Sequence, residues 1–231
     1  MSGSHRKPLP GHLVPLMRAG LVATAAAVMV TGTPVLASAA PNARHTTAHA
    51  VSIDTTSAIS TASPLHPRDF QVAFEIHQYG DQIGAGADNR ALASSRSCDG
   101  WQHCSSAALS FQIITMGGSH PKLHAGNVSK ASNNHCAACE TFAGAYQFVL
   151  DTPRPVTLSP DALRRLGQIE ADLRTAARDQ PPQRLKAVAD NLAEQVVVIL
   201  GEASAAASAD RAAPTPDVTL TRTIDGLPAS S

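Results

Sequence analysis

A chain of 231 residues is long enough for one substantial core, yet this one balances 18 basic against 18 acidic side chains and is only 3% aromatic. The first 39 residues hold three of the basic groups and no acidic one, which leaves 15 against 18 beyond them and a formal charge of −3. Without a positive field or stacking rings, nucleic acid is excluded as an expected partner.

The chain opens with a basic stretch (Arg6, Lys7, Arg18), an apolar run from Ala19 to Leu36 and the small-residue exit Ala37-Ser38-Ala39. This order predicts a signal peptide over residues 1–39, cut after Ala39, and a secreted or extracytoplasmic protein. If the segment stays uncut, it is a membrane anchor. Residues 40–67, rich in Ala, Ser, Thr and His, read as a disordered linker.

Every aromatic residue falls between Phe70 and Phe148, so the main core is expected there. The same interval contains an internal repeat. Asn89, Ala93 and Cys98 recur 38 residues later as Asn127, Ala131 and Cys136. The block after Cys104 recurs 35 residues later after Cys139, placing Ser106 on Thr141, Phe111 on Tyr146 and Gln112 on Gln147. The three-residue difference lies between the cysteines, which are separated by five residues in the first unit and two in the second. Apolar residues then alternate: Ala107, Leu109, Phe111 and Ile113 in one copy, and Phe142, Gly144, Tyr146, Phe148 and Leu150 in the other. A period of two predicts strands, although the alanines would also suit a buried helix. Phe70, Val72, Phe74 and Ile76 show the same alternation and read as the remnant of a third unit.

After the repeats, Ser159 as cap, Pro160 and Asp161 in the first turn and a Leu158–Leu163 staple predict a helix with the stripe Leu163, Leu166, Ile169 and Leu173. Gln180-Pro-Pro ends it. Leu185, Val188, Leu192, Val196 and Ile199 mark a second helix closing before Gly201. The expected fold class is α+β: a small antiparallel β-sheet built from two cysteine-containing repeats over 68–157, followed by an antiparallel helical hairpin over 158–201 in the same domain. Residues 202–231 read as a disordered tail.

The doubled Asn-x3-Ala-x4-Cys pattern, the Cys-x7-Gln spacing and the stretch from Cys136 to Val149 resemble the extracytoplasmic end of bacterial proteins labelled peptide zinc metalloproteases. The resemblance runs from about Phe70 to Leu200 and includes Thr-Pro-x-Pro-Val-x-Leu-Ser at 152–159. It implies an extracytoplasmic module without assigned activity, because the protease label belongs to a membrane part with an H-E-x-x-H helix that this sequence lacks. Most members of that group have two residues between the cysteines in both units, so the longer Cys98–Cys104 loop departs from the pattern.

The chemistry resides in Cys98, Cys104, Cys136 and Cys139. Structural disulfides are the first reading in an oxidising compartment. Three pairings are open, of which the local ones, Cys98 with Cys104 and Cys136 with Cys139, suit the repeat, whereas chain entropy favours longer loops. The second reading is a thiol redox centre at Cys136-Ala-Ala-Cys139, beside His135. The third is a four-cysteine metal site, with His103 and His135 as possible substitutes. The other histidines, including His45, His49, His66, His77, His120 and His124, read as solvated, and Gly117-Gly-Ser-His120 as a turn. Gln112 and Gln147 are expected to bond within or across the sheet, and Trp101 to cover the sheet end. No acid, base and nucleophile converge in the sequence. The expected function is therefore a non-enzymatic binding or structural module with a protein or cell-envelope partner, no catalytic residues, no cofactor and no resident metal. The enzyme-class alternative is an extracytoplasmic thiol-disulfide oxidoreductase.

Overall fold

The computed structural model describes residues 43–46, 51–81, 83–118, 122–207 and 217–226. The expected signal peptide, 1–39, lies outside them. The protein is α+β, with two sheets of mostly parallel strands and two helices in contact with each other. Strands β1 (Ala43–Thr46), β3 (Arg68–Asp81), β5 (Cys104–Gly117), β7 (Cys139–Thr152) and β8 (Asp217–Asp225) form one sheet in that order. Strands β2 (Val51–Ala62), β4 (Gly84–Arg96) and β6 (Lys122–Asn134) form the other. The chain alternates between the sheets, so β2 with β3, β4 with β5 and β6 with β7 make three successive coils.

The expectation of a small antiparallel sheet is corrected by this register. All pairings are parallel except that of β7 with β8. The physical reason is the length of the repeat. Each unit holds two strands, so the chain completes a full circuit before its equivalent residue returns, and like strands lie side by side in the same direction. Asn89 sits beside Asn127 and Ala93 beside Ala131. Cys104 sits beside Cys139, Phe111 beside Tyr146 and Gln112 beside Gln147. The third unit is complete, with Phe70, Val72, Phe74 and Ile76 beside Ala107, Leu109, Phe111 and Ile113.

The five-stranded sheet is covered on both faces, which explains the nearly unbroken burial of β5 and β7. One face carries the aromatic ladder Phe74, Phe111, Tyr146 and Phe148, with Phe111 at 4.5 Å from Tyr146 and 5.9 Å from Phe74 between ring centroids. Against this face pack α1 (Pro160–Asp179) and α2 (Pro182–Ala207) through Leu166, Ile169, Leu173, Leu185, Val196 and Ile199. The Ser159 hydroxyl caps α1 by accepting from the Ala162 N–H at 3.2 Å. Gln78, buried in β3, pins the helix entry by accepting from the Leu158 N–H at 2.8 Å. Gly117, the last residue of β5, is obligatory because the chain leaving β7 passes against it: a Cβ there would meet the Pro155 nitrogen at 2.3 Å.

The opposite face of this sheet meets the three-stranded sheet through small residues: Ala58, Ala91, Ala93, Ala108, Ala143 and Ala145. Three expected boundaries move. Val51–Ala62, within the expected linker, is strand β2. Asp217–Asp225, within the expected tail, is strand β8. Helix α2 runs through Gly201 to Ala207, with Ser204 buried beyond the expected stop.

Candidate functional site

Two clusters collect the polar chemistry, one at a corner of the stack and one between the sheets. The corner follows β4 and β6. Ser97 (φ 59°) and His135 (φ 50°) are the non-glycine residues of positive φ among the described residues, and each stands immediately before the first cysteine of its repeat. This left-handed step turns the chain inward, and the two turns lock together. The Ser97 N–H donates to the Asn134 carbonyl at 2.9 Å, Ala137 N–H to Cys98 O at 3.2 Å, and Cys104 N–H to Ala138 O at 3.3 Å.

Cys98 and Cys104 stand at disulfide distance with their Cα atoms 6.1 Å apart, and Cys136 and Cys139 likewise at 5.7 Å. Cys98 and Cys104 are buried, whereas Cys136 and Cys139 are half-buried. Stacking merges the pairs, since the sulfurs of Cys98, Cys136 and Cys139 all lie within 4.8 Å of one another. His103 and His135 are outside that group. The longer loop of the first unit forms a turn in which the Asp99 carboxylate accepts from the N–H groups of Trp101 and Gln102, both at 3.0 Å. Trp101 is 93% exposed on it, which corrects the expectation that its ring covers the sheet end.

Between the sheets, equivalent positions stack into ladders. Asn89 donates to Asn127 Oδ1 at 3.0 Å and to the Tyr146 carbonyl at 3.0 Å, and its own Oδ1 accepts from the Ser110 hydroxyl at 2.6 Å. Gln147 donates to Gln112 Oε1 at 2.8 Å and to the Ala87 carbonyl at 3.1 Å, bonding both along its sheet and across to the other. In the first coil the corresponding rung is charged. His77, expected to be solvated, is 1% exposed. Its Nδ1 lies 3.5 Å from Asp54 Oδ2 and its Nε2 lies 3.3 Å from Glu75 Oε2. The Thr56 hydroxyl stands 3.4 Å from the same Nε2. Tyr79 donates to Asp54 at 2.6 Å. Burial, then this bond, then the carboxylate charge push the Tyr79 phenol far above its ordinary range.

The sequence contains a signal for His77 in strand phase. It shares the face of Tyr79, opposite Phe74 and Ile76, and its register neighbour is Ile114. The Thr56–His77–Asp54 order has the components of a nucleophile and its base. Thr56, however, is fully buried against the opposite sheet and reaches no cleft. Within this geometry the rung exchanges hydrogen bonds internally.

The outer face of the three-stranded sheet differs. Ile53 is 76% exposed and Ile59 59% exposed, with Val128 exposed beside them. Arg90, Arg96, Lys122 and Lys130 project from the same face, where Asp88 is the one acid, and none of the four cations forms an ion pair among the described residues. On the helices, by contrast, Arg164, Arg165, Arg174 and Lys186 all pair with carboxylates. The groove of about 460 Å³ between α1 and α2 is lined by Arg164, Arg165, Asp172 and Glu194 together with Ile169, Val198, Ile199 and neutral amides. No described helix is long and apolar enough to cross a membrane. No family model, curated protein or solved structure matches the chain.

Proposed function

We propose that the protein is an exported, non-enzymatic binding module whose outer sheet face contacts an anionic component of the cell envelope. The observation that carries this reading is the contrast between the two polar populations. Interior groups bond to one another from rung to rung, whereas the cations of the outer face are left without carboxylate partners among the described residues and stand beside exposed Ile53, Ile59 and Val128. Such a face, backed by a second sheet, is rigid and large, and it offers charge complementarity to a polyanion. Export is supported by the amino-terminal charge and apolar pattern and by the paired cysteines. The resemblance to the extracytoplasmic end of the metalloprotease-labelled proteins points the same way.

Fractionation of cells producing the full chain tests the proposal. The protein should be recovered outside the cytoplasm with a mass matching cleavage after Ala39, and Arg90→Glu with Lys130→Glu should release it from the envelope without lowering its unfolding midpoint. Full-length protein in the cytoplasm, or retention unchanged by the double substitution, would refute it. A second reading, exchange of disulfides with a partner, is favoured by one observation: the Cys136–Cys139 pair is half-buried and within reach of an incoming thiolate. Turnover of a disulfide substrate, abolished by Cys136→Ser, would establish that reading instead.

A further inference from the structure

We infer that the reduced protein holds one Zn²⁺ ion at the stacked corner, bound by the thiolates of Cys98, Cys104, Cys136 and Cys139. Two disulfides that each close their own turn need not share a location, yet here the sulfurs of both repeats meet at one point. Those of Cys98, Cys136 and Cys139 lie within 4.8 Å of one another, Cys104 stands at bonding distance from Cys98, and Cys104 is the register neighbour of Cys139. A tetrahedral site with zinc–sulfur bonds of about 2.3 Å sets its sulfurs about 3.8 Å apart. Three sulfurs already lie close to that spacing, and the fourth, on Cys104, sits outside the group and has to swing toward Cys136 and Cys139 once its bond to Cys98 is reduced.

The backbone that carries them is fixed independently of the sulfurs. The Ser97–Asn134, Ala137–Cys98 and Cys104–Ala138 hydrogen bonds join the two corners through backbone atoms alone and involve no sulfur. Cys98 and Cys104 are buried and Cys136 and Cys139 half-buried, so the site is shielded yet open to an ion from one side. Four protein ligands leave no open coordination position, which assigns the ion a structural role. The chemistry balances with a dithiol reductant. Each disulfide takes two electrons and two protons from one dithiol, which leaves as its own disulfide, and the four thiols release four protons on binding Zn²⁺. This inference is independent of what the outer sheet face binds.

The test uses the full chain, reduced anaerobically with a dithiol, freed of it, and titrated with Co²⁺ as a spectroscopic probe. The expected result is the visible spectrum of tetrahedral thiolate-bound cobalt, saturating at one ion per chain and bleached by Zn²⁺. Cys98→Ser should weaken binding at least tenfold, because that ligand comes from the other repeat. His103→Ala and His135→Asn should leave it within twofold. Binding that survives Cys98→Ser would reduce the site to the Cys136–Cys139 pair and overturn the inference. So would a folded, reduced chain that takes up no cobalt. Should reduction unfold the chain, circular dichroism decides: refolding on addition of Zn²⁺ supports the site, and failure to refold refutes it.

Discussion

The first coil and the two that follow share a register but fill it with different chemistry. Thr56 stands where Asn89 and Asn127 stack, Glu75 where Gln112 and Gln147 pair, and His77 where Ile114 and Val149 lie. The later coils turn through cysteines, whereas the first turns through a bridge in which Ser63 and His66 exchange backbone hydrogen bonds of 2.9 and 3.0 Å. The neutral rungs bond along the stack, as Asn89 does to Asn127 and Gln147 to Gln112. The charged rung instead bonds across the sheets within its own coil, from Asp54 and Thr56 to Glu75, His77 and Tyr79. The difference teaches that this architecture accepts interior polar groups satisfied in two ways, along the stack or across the two sheets of one coil.

The most disruptive way to break that comparison is His77→Leu, which removes the ring between two carboxylates. It should lower stability by about 3 kcal/mol in urea unfolding. Exchanging Asp54, Glu75 and His77 together for their second-coil counterparts (Asp54→Ala, Glu75→Gln, His77→Ile) should cost less than the single change. If the exchange costs more, the rungs are not closed units.

The two tyrosines sharpen the comparison through pH. Tyr79 in the first coil is held neutral by burial and by Asp54, and Tyr146 in the third by burial and by Asp190. The unfolded phenols ionise near pH 10 while the folded ones retain their protons, so above that pH the native state binds more protons. Stability is complete below about pH 10 and falls as pH rises, by up to about 1.4 kcal/mol per unit for each ring. Phenolate absorbance should rise together with unfolding, and Tyr79→Phe and Tyr146→Phe should each remove part of the alkaline loss. Ionisation that precedes unfolding would contradict the burial of both rings. The smallest effect concerns the cysteine corners. His135→Gly relieves a left-handed residue and should raise stability by about 1 kcal/mol, and Ser97→Gly, its counterpart one coil earlier, should match it. A gain at only one of them would show that the corners are not equivalent.

Strands β3, β5 and β7 and the helices were legible because large side chains marked their phase: Phe70 to Ile76, Leu109 to Ile113 and Phe142 to Phe148 alternate toward the helices, and Ser159 caps where its type predicts, whereas β1 and β8 carry no such mark. The three-stranded sheet was not, because its size pattern is inverted. In β2 the large Ile53 and Ile59 face outward, while Ser52, Thr56, Ala58, Ser60 and Ala62 are buried. Hydrophobic periodicity assumes that the larger residues mark the inside. Here the sheets approach closely through alanines and hydrogen-bonded hydroxyls and amides, such as Ser60 to Ser106 at 2.8 Å and Thr141 to Ser95 at 2.9 Å. The direction of the strands was lost for a related reason. Without β2, β4 and β6 a repeat of strands suggests hairpins, and the returning half of each circuit goes unseen. The cysteine cluster was legible in membership and local pairing, but the convergence of both pairs on one point required the stacking.

The last strand carries a consequence of its own. β8 runs against β7, and Asp225 at its end accepts from the Ala131 N–H of β6 at 2.9 Å while Asn127 reaches the Thr221 carbonyl at 2.9 Å. One short segment thus ends the five-stranded sheet and also bonds to the last strand of the other, and its hydrogen bonds among the described residues run to the third circuit and to Asp190 of α2. A longer or shorter version of the molecule, gaining or losing a whole circuit upstream, would meet the same stopper unchanged. Its length is therefore a quantity that can be edited in whole units.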